Sequence, residues 1–244
     1  MRSVMKYLVA ALLLAGTWNL YAAQADADKM AVWDAGKTST QEWWTIPYPD
    51  RFDKAMLTRD QALISVVGKN FIDSNGKTFV FRGVNIADPD KLAFQEKWNR
   101  GLFEEVHNWG ANHIRLPIHP IAWRQRGADW YFARIDEAVS WANSLGMYLI
   151  IDWHSIGNLK TELFQHPQYV TDLAETMNFW KSIAHRYKDV PTMEPRGISW
   201  TAWVFDPEWS PTMISDWDFT PTEQGAFFKD VMSGVRAGKE PLSQ

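Results

Sequence analysis

From residue 64 onward, short apolar runs alternate with stretches in which apolar residues recur every three or four positions. Ser65-Val66-Val67 and Asn70-Phe71-Ile72, followed by Asp73-Ser74-Asn75-Gly76 and Thr78-Phe79-Val80-Phe81, read as strands around an Asn-Gly turn. This β-hairpin leads into a first core strand over Thr78 to Asn85. Leu102, Phe103, Val106 and Trp109 then follow helical spacing, closed by Gly110. Asn112 to Ile118 is a second strand. Ile135, Ala138, Val139, Ala142 and Leu145 mark a helix that Gly146 ends. Met147 to Asp152 is a continuous apolar run, the pattern of a strand covered on both faces. Leu173, Met177, Trp180, Ala184 and Tyr187 mark a third helix, and Gly197 to Phe205 a fourth strand. In Thr220-Pro221-Thr222-Glu223 the N-cap Thr220, Pro221 and Glu223 predict the start of a last helix, ending near Met232.

Strands alternating with helices at this spacing are parallel and joined by right-handed crossovers, so the class is α/β. Strands beginning near Thr78, Asn112 and Met147 repeat about every 34 residues. Eight such units need roughly 270 residues, in line with the ~250 of a closed barrel. Only about 155 separate Thr78 from Met232. The pattern therefore predicts an incomplete TIM-type (β/α)8 barrel with about four β/α units and an N-terminal β-hairpin. Four strands closed on themselves would crowd out their own core, so an open sheet is expected. Its edges, and an inner face formed by Val80, Ile114, Leu149 and Ile198, would be exposed and favour self-association.

The flanking segments read differently. Arg2 and Lys6 precede an apolar run, Leu8 to Gly16, that is shorter than the roughly 20 residues of a membrane span. With small residues at Ala22, Ala23 and Ala25, residues 1–25 read as a signal peptide and the protein as secreted or periplasmic. Residues 26–63, with Pro47, Pro49, Trp33, Trp43 and Trp44, read as an irregular N-terminal arm, residues 64–232 as the barrel-like domain and 233–244 as a tail.

Composition narrows the chemistry. The 244 residues are 46% hydrophobic and 22% charged, enough to bury a core. A net charge of −4 supplies no basic field for nucleic acid or an anionic membrane surface. Zero Cys excludes a disulfide framework, a thiolate nucleophile and Cys-ligated metal. The His residues form no metal-ligand pair, and neither a Gly-rich phosphate loop nor a G-x-S-x-G elbow is present. By contrast 15 Trp, 13 Phe and 7 Tyr offer flat apolar faces in excess of core filling, and sugar rings are the neutral ligands that stack on such faces.

In parallel α/β sheets ligands bind beyond the carboxyl ends of the strands. Those ends carry Asn85, Arg115, His119, Asp152-Trp153-His154 and the run Trp203 to Trp209. Together they form a polar, aromatic rim suited to a hydroxyl-rich ligand. Alternatives stand beside this reading: Arg115 as an ion-pair partner of Asp152, His119 as a satisfied loop histidine, and Asp206 and Glu208 as plain loop residues.

Phe81-Arg82-Gly83-Val84-Asn85, Ile114-Arg115-Leu116-Pro117, Ile151-Asp152-Trp153-His154 and Gly197-Ile198-Ser199-Trp200-Thr201-Ala202-Trp203 occur in this order, each at a strand end. Over about residues 64 to 232 the chain resembles glycoside hydrolase family 5, the cellulase-type endo-β-glycanases. The resemblance implies a (β/α)8 barrel, a β-linked polysaccharide or oligosaccharide as substrate, and retaining hydrolysis by two glutamates without metal or cofactor. It makes Arg115 the arginine supporting the nucleophile, His154 a histidine lining the cleaved-sugar subsite, and Trp203 the tryptophan under the sugar ring. The family's acid/base lies in Asn-Glu-Pro ending strand four, and its nucleophile is a Glu ending strand seven. Here the helix ending at Tyr187 runs almost directly into what reads as strand eight. Glu194, in Met193-Glu194-Pro195, echoes the first motif without its Asn and without a preceding apolar strand. It is the candidate acid/base, and no residue takes the nucleophile's place. The implied protein is an exported endo-β-1,4-glucanase relative impaired in catalysis, with a non-catalytic carbohydrate-binding protein or a non-functional deletion product as alternatives.

Overall fold

The computed structural model describes residues 45–193, 200–202, 204–209 and 212–236. The signal segment, arm residues 26–44, Glu194, Ile198, Trp203 and residues 237–244 lie outside the described residues.

Three short strands come first, β1 (Ser65–Val67), β2 (Asn70–Ile72) and β3 (Thr78–Phe79), forming an antiparallel sheet in that order. The predicted hairpin is thus a three-stranded sheet. The predicted first core strand is two pieces, because the chain leaves β3 at Val80 and re-enters as β4 (Arg82–Asn85) in a different sheet. Phe81, at the break, is 1% exposed and meets Phe71, Phe79, His113 and Tyr148 edge-on, which anchors the small sheet beneath the larger one.

The larger sheet holds β4, β5 (His113–Ile118), β6 (Tyr148–Trp153) and β9 (Trp200–Ala202), all parallel, in the order β6-β5-β4-β9. A two-stranded ribbon, β7 (Gly157–Asn158) and β8 (Leu163–Phe164), follows β6. Right-handed crossovers carry the chain from β4 to β5 to β6 on one side. The last strand returns to the other side of the first, the position of the eighth strand in a closed barrel. Phe205 extends this pairing, its N–H donating to the Asn85 carbonyl at 2.9 Å. Only residues 194–199 separate Met193 from β9, so the barrel is incomplete, and among the described residues its sheet is open. Gly83 is required where β4 meets β5: a Cβ there would lie 2.0 Å from the His113 carbonyl oxygen.

The helices are α1 (Pro89–Phe94), α2 (Arg100–Asn108), α3 (Pro120–Arg126), α4 (Ala128–Leu145), α5 (Leu173–Tyr187) and α6 (Glu223–Arg236). Gly146 caps α4 in the left-handed region at φ 71°, and Gly110 follows α2 at φ 98°. The sequence pattern did not reveal α1 and α3, which sit in the loops after β4 and β5. The start of α6 also differs: Thr222 is the capping residue, accepting from Gly225 N–H at 3.1 Å, whereas Pro221 is bridged to Ile214. The helix runs to Arg236, past the predicted end at Met232.

Side chains alternate across the strands. Val84, Ile114, Leu116, Leu149 and Ile151 face the helices and are buried with Phe103, Val106, Ile135 and Val139. The other set aligns Asn85, Arg115 and Ile150 in one row and Pro117 and Asp152 in the next. This corrects the expectation of an exposed apolar inner face. Ile114 and Leu149 are fully buried against helices, while Val80 precedes β4 and is 44% exposed. The open face of the sheet is largely polar at its upper end.

Residues 45–63 lie against the N-terminal side of the sheet. Asn143 Oδ1 accepts from Thr58 and Arg59 N–H, Tyr148 Oη donates to Ala62 O at 2.8 Å, and Phe52 tilts against Tyr187.

Candidate functional site

Asn85 ends β4, Arg115 sits mid-way along β5, and Asp152 and His154 flank the end of β6. Parallel pairing in register brings them to one corner. The Arg115 guanidinium donates to Asn85 Oδ1 through one nitrogen and to Asp152 Oδ2 through the other, the latter at 2.5 Å. His154 Nδ1 lies 2.6 Å from the same Asp152 oxygen. Arg115 is therefore both a rim residue and the ion-pair partner of Asp152, so the two sequence readings describe one group. Held from both sides, the guanidinium is fixed, and both pairs remain partly open to the sheet's polar face.

His119 lies one layer farther out, at the start of α3. Its ring centroid is 5.3 Å from that of His154, 5.6 Å from Tyr169 and 6.1 Å from Trp209. It is 6% exposed and held by Asp88, which accepts from His119 N–H at 2.7 Å and approaches His119 Nδ1 at 3.4 Å. Asp88 also caps α1 through Asp90 N–H and accepts from Tyr131 Oη at 2.8 Å. Burial outweighs these donors and pushes the Asp88 carboxyl up to about 7. Sequence reading missed Asp88 and Tyr131. The available signal was local only, an Asp before Pro89 that reads as a helix cap.

Asp206 is fully buried and bonded through both oxygens to Lys91 at 2.9 Å, a structural clamp between α1 and the chain after β9. Glu208 lies nearby, more than half exposed and 3.4 Å from Lys91. Both fit the loop reading. Glu194 and Trp203 lie outside the described residues. His113, at the opposite end of β5 from the rim, is buried and its pKa falls to about 4, so it stays neutral. Among the described residues, no group of three or more His, Cys, Asp or Glu could hold a metal ion, and no helix is long and apolar enough to cross a membrane.

The strand ends of this parallel sheet thus gather a fixed arginine, a carboxylate and two histidines beside the Tyr169 and Trp209 rings. Residues 72–193 match the family model described as Cellulase (glycosyl hydrolase family 5). The chain belongs to glycosyl hydrolase family 5. Its sequence is 24% identical over 148 residues to Endoglucanase N of Pectobacterium atrosepticum and to Endoglucanase 5 of Pectobacterium carotovorum subsp. carotovorum. Those matches cover 58% of this chain but 31% and 28% of the two endoglucanases, so the chain spans about a third of the length of these curated relatives. The native form of the β-glucanase SdGluc5_26A from Saccharophagus degradans is 35% identical with a TM-score of 0.74, covering 80% of this chain and 100% of that one. The same β-glucanase in complex with cellotetraose is 36% identical with the same TM-score and coverage. These family 5 neighbours are TIM barrels, and the described residues of this chain form an incomplete one.

Proposed function

We propose that this family 5 chain is an exported relative of the endo-β-1,4-glucanases that grips β-glucan segments through the half of the cleft it carries and is impaired in hydrolysis. The observation that carries the reading is the Asn85–Arg115–Asp152–His154 cluster at the strand ends, set beside the six-residue link from Met193 to β9. A link of that length has no room for the strands that would bring a nucleophilic glutamate. Retaining hydrolysis needs two carboxyl groups about 5–5.5 Å apart on either side of the scissile bond. Asp152 is committed to Arg115, and Asp88 is buried beneath His119. Glu194 remains the proposed acid/base remnant and Trp203 the proposed stacking residue under the sugar ring. A β-glucan ligand is supported by the cellotetraose complex of the S. degradans β-glucanase. Export rests on residues 1–25, and N-terminal sequencing of protein recovered outside the cytoplasm tests it.

The deciding experiment pairs two assays on the purified chain: reducing-sugar release from a soluble cellulose derivative, and calorimetry with cellotetraose. Binding without turnover is expected. Turnover that vanishes in Glu194→Gln would overturn the impaired reading, and absence of both signals would leave a non-functional deletion product.

A second copy of the chain is the proposed partner for the open flank. Among the described residues, β6 is paired on its outer side only where Leu149 meets Met193. Beside it lies a hollow of about 720 Å³ lined by Ile151, Trp180, Ile183, Tyr187, Val190 and Met193 among others. Two copies of a four-stranded parallel sheet, the β6 edge of each meeting the β9 edge of the other, would supply the eight strands at which a barrel interior is just filled. The two-fold axis would run along the barrel, which keeps all strands parallel.

A further inference from the structure

On the outward side of α2, a hollow of about 310 Å³ lies between that helix and the loop that follows β9. Lys97, Asn99, Glu104 and Asn108 line one wall, Trp217 and Phe219 the other. Phe103 and Val106, on the helix face turned the other way, are buried in the core, so α2 stands between the hollow and the sheet. None of the strand-end residues Asn85, Arg115, His119 and His154 lines it. From Asn99 to Asn108 is about 13 Å along the helix axis, which carries the hollow down the flank of the molecule. Two observations mark this place out. The first is strain: three non-glycine residues stand at positive φ among the described residues, and two of them bracket the hollow, Glu96 at 58° beside Lys97 and Phe219 at 63°. An aromatic residue is costly in that region, and such costs persist where a wall has to be held in one place. Stacking on Phe205, with ring centroids 5.8 Å apart, holds Phe219 there. The second is the set of polar groups left open. The Trp217 indole N–H and the Asn108 amide have no hydrogen-bond partner among the described residues, and the Lys97 ammonium lies 5.5 Å over the Trp217 ring without an ion pair. Glu104 is neutralised by Arg100 at 2.7 Å, which leaves Lys97 against Glu105, itself accepting from the Trp109 indole at 2.9 Å. Open donors and acceptors around an indole, with neither charge in excess, suit a neutral polyhydroxylated ligand rather than an ion.

We propose that this hollow is an attachment site for a neutral β-linked glucan chain on the outer, helical face of the protein, with Trp217 offering ring surface and its N–H while Asn108 and Lys97 bond hydroxyl groups. A pyranose with equatorial hydroxyls has flat C–H faces and a polar edge, the complement of an indole flanked by an amide and an ammonium. Because the hollow lies outside the strand-end cleft, it can hold a second stretch of the same polymer while the cleft is filled. This inference rests on the proposed β-glucan binding and adds to it a separate point of attachment. A small, open site of this kind has a dissociation constant of about 1 mM by itself, but on one long polymer the second engagement becomes intramolecular and the two sites reinforce each other. Short oligosaccharides therefore report the cleft, and long chains report both sites.

Electrophoresis in native gels containing soluble mixed-linkage β-glucan, set beside calorimetry with cellotetraose, tests it. The glucan should retard the unaltered chain. Trp217→Ala should raise the glucan concentration needed for half-retardation about tenfold, and Asn108→Ala about threefold, with cellotetraose affinity unchanged in both. Arg115→Ala should lose the calorimetric signal yet keep part of its retardation, and adding Trp217→Ala should remove the rest. Asn108 is exposed, so its replacement leaves the packing intact and decides the matter if loss of the partly buried Trp217 unfolds the chain. Retardation that neither replacement alters overturns the outer site while the cleft reading stands. A parallel loss of cellotetraose affinity in Asn108→Ala overturns it too, since the residue would then belong to the cleft. An unaltered chain that is neither retarded nor gives heat with cellotetraose refutes the proposed function together with the outer site.

Discussion

Arg115 and Asp152 meet at 2.5 Å from adjacent parallel strands, although Pro117, two residues beyond Arg115, is Asp152's partner in register. The arginine therefore reaches up its own strand toward the rim. That reach lets it hold Asn85 and Asp152 together. Replacing it with Ala strands two partly buried acceptors. We expect Arg115→Ala to lower unfolding free energy by about 1–3 kcal/mol and to remove cellotetraose binding, measured by urea denaturation and calorimetry. Arg115→Lys should recover part of the stability but not the binding, because an ammonium cannot bridge two acceptors in a fixed plane.

Asp88 makes stability depend on pH with a definite sign. Its folded pKa, raised by burial to about 7, exceeds the ordinary carboxylate value, so between about pH 4 and 7 the folded state binds more protons than the unfolded one. Its contribution is fully present below pH 4 and lost as pH rises through 7. His113 acts oppositely: its folded pKa near 4 means stability is lost as pH falls from about 6.5 to 4. Urea midpoints from pH 4 to 8 should lose the first component in Asp88→Asn. An unchanged profile in that variant would remove Asp88 from the account.

The β4–β5 contact has no room for a side chain at residue 83. Gly83→Ala should cost about 2–3 kcal/mol through forced separation of the two strands, read as a lowered denaturation midpoint with an unchanged slope. Gly68, with nothing near its would-be Cβ, serves as the spatial control, although its φ of +61° alone costs an Ala there some strain.

Sedimentation velocity over a range of concentrations should show reversible dimers. Trp180, 41% exposed on α5 beside the unfilled flank, is the point of attack. Trp180→Glu should shift the chain to monomer without altering its far-UV circular dichroism. A monomer at all concentrations in the unaltered chain would refute the two-copy barrel.

Sugar binding should depend on Trp203 more than on Glu194. An indole under a ring keeps its stacking surface when distant strands are lost, whereas a lone carboxylate has little to recognise in a neutral glycan. Calorimetry with cellotetraose on Trp203→Ala and Glu194→Ala decides the ranking, and equal losses would refute it.

The parallel units and the rim were legible because each rests on local signals. Gly110 and Gly146 sit at positive φ where the pattern ends its helices, and Asn85 and His154 fall at strand ends that parallel pairing gathers, with Arg115 reaching them from mid-strand. Asp88 was not legible, since its partners His119 and Tyr131 are 31 and 43 residues away. The two faces of each strand were also hidden. A continuous apolar run such as Tyr148 to Ile151 carries no alternation, so which residues face helices emerges only from register with Arg115 and Asn85. Thr220 and Thr222 both satisfy a cap pattern, and the bridge between Pro221 and Ile214 decides between them by drawing the first into extended chain.

The bridge between Met193 and Leu149 has a bearing on ancestry and on engineering. It lies at the second residue of β6, level with Val84, while on the other flank Trp200 pairs with Arg82 at the start of β4. Both flanks of the four-stranded sheet are thus already engaged by the chain on either side of residues 194–199. A graft that inserts the middle strands and helices of a family 5 relative between these two residues would find its anchors in place, with no change to the loops that form the sugar-facing rim.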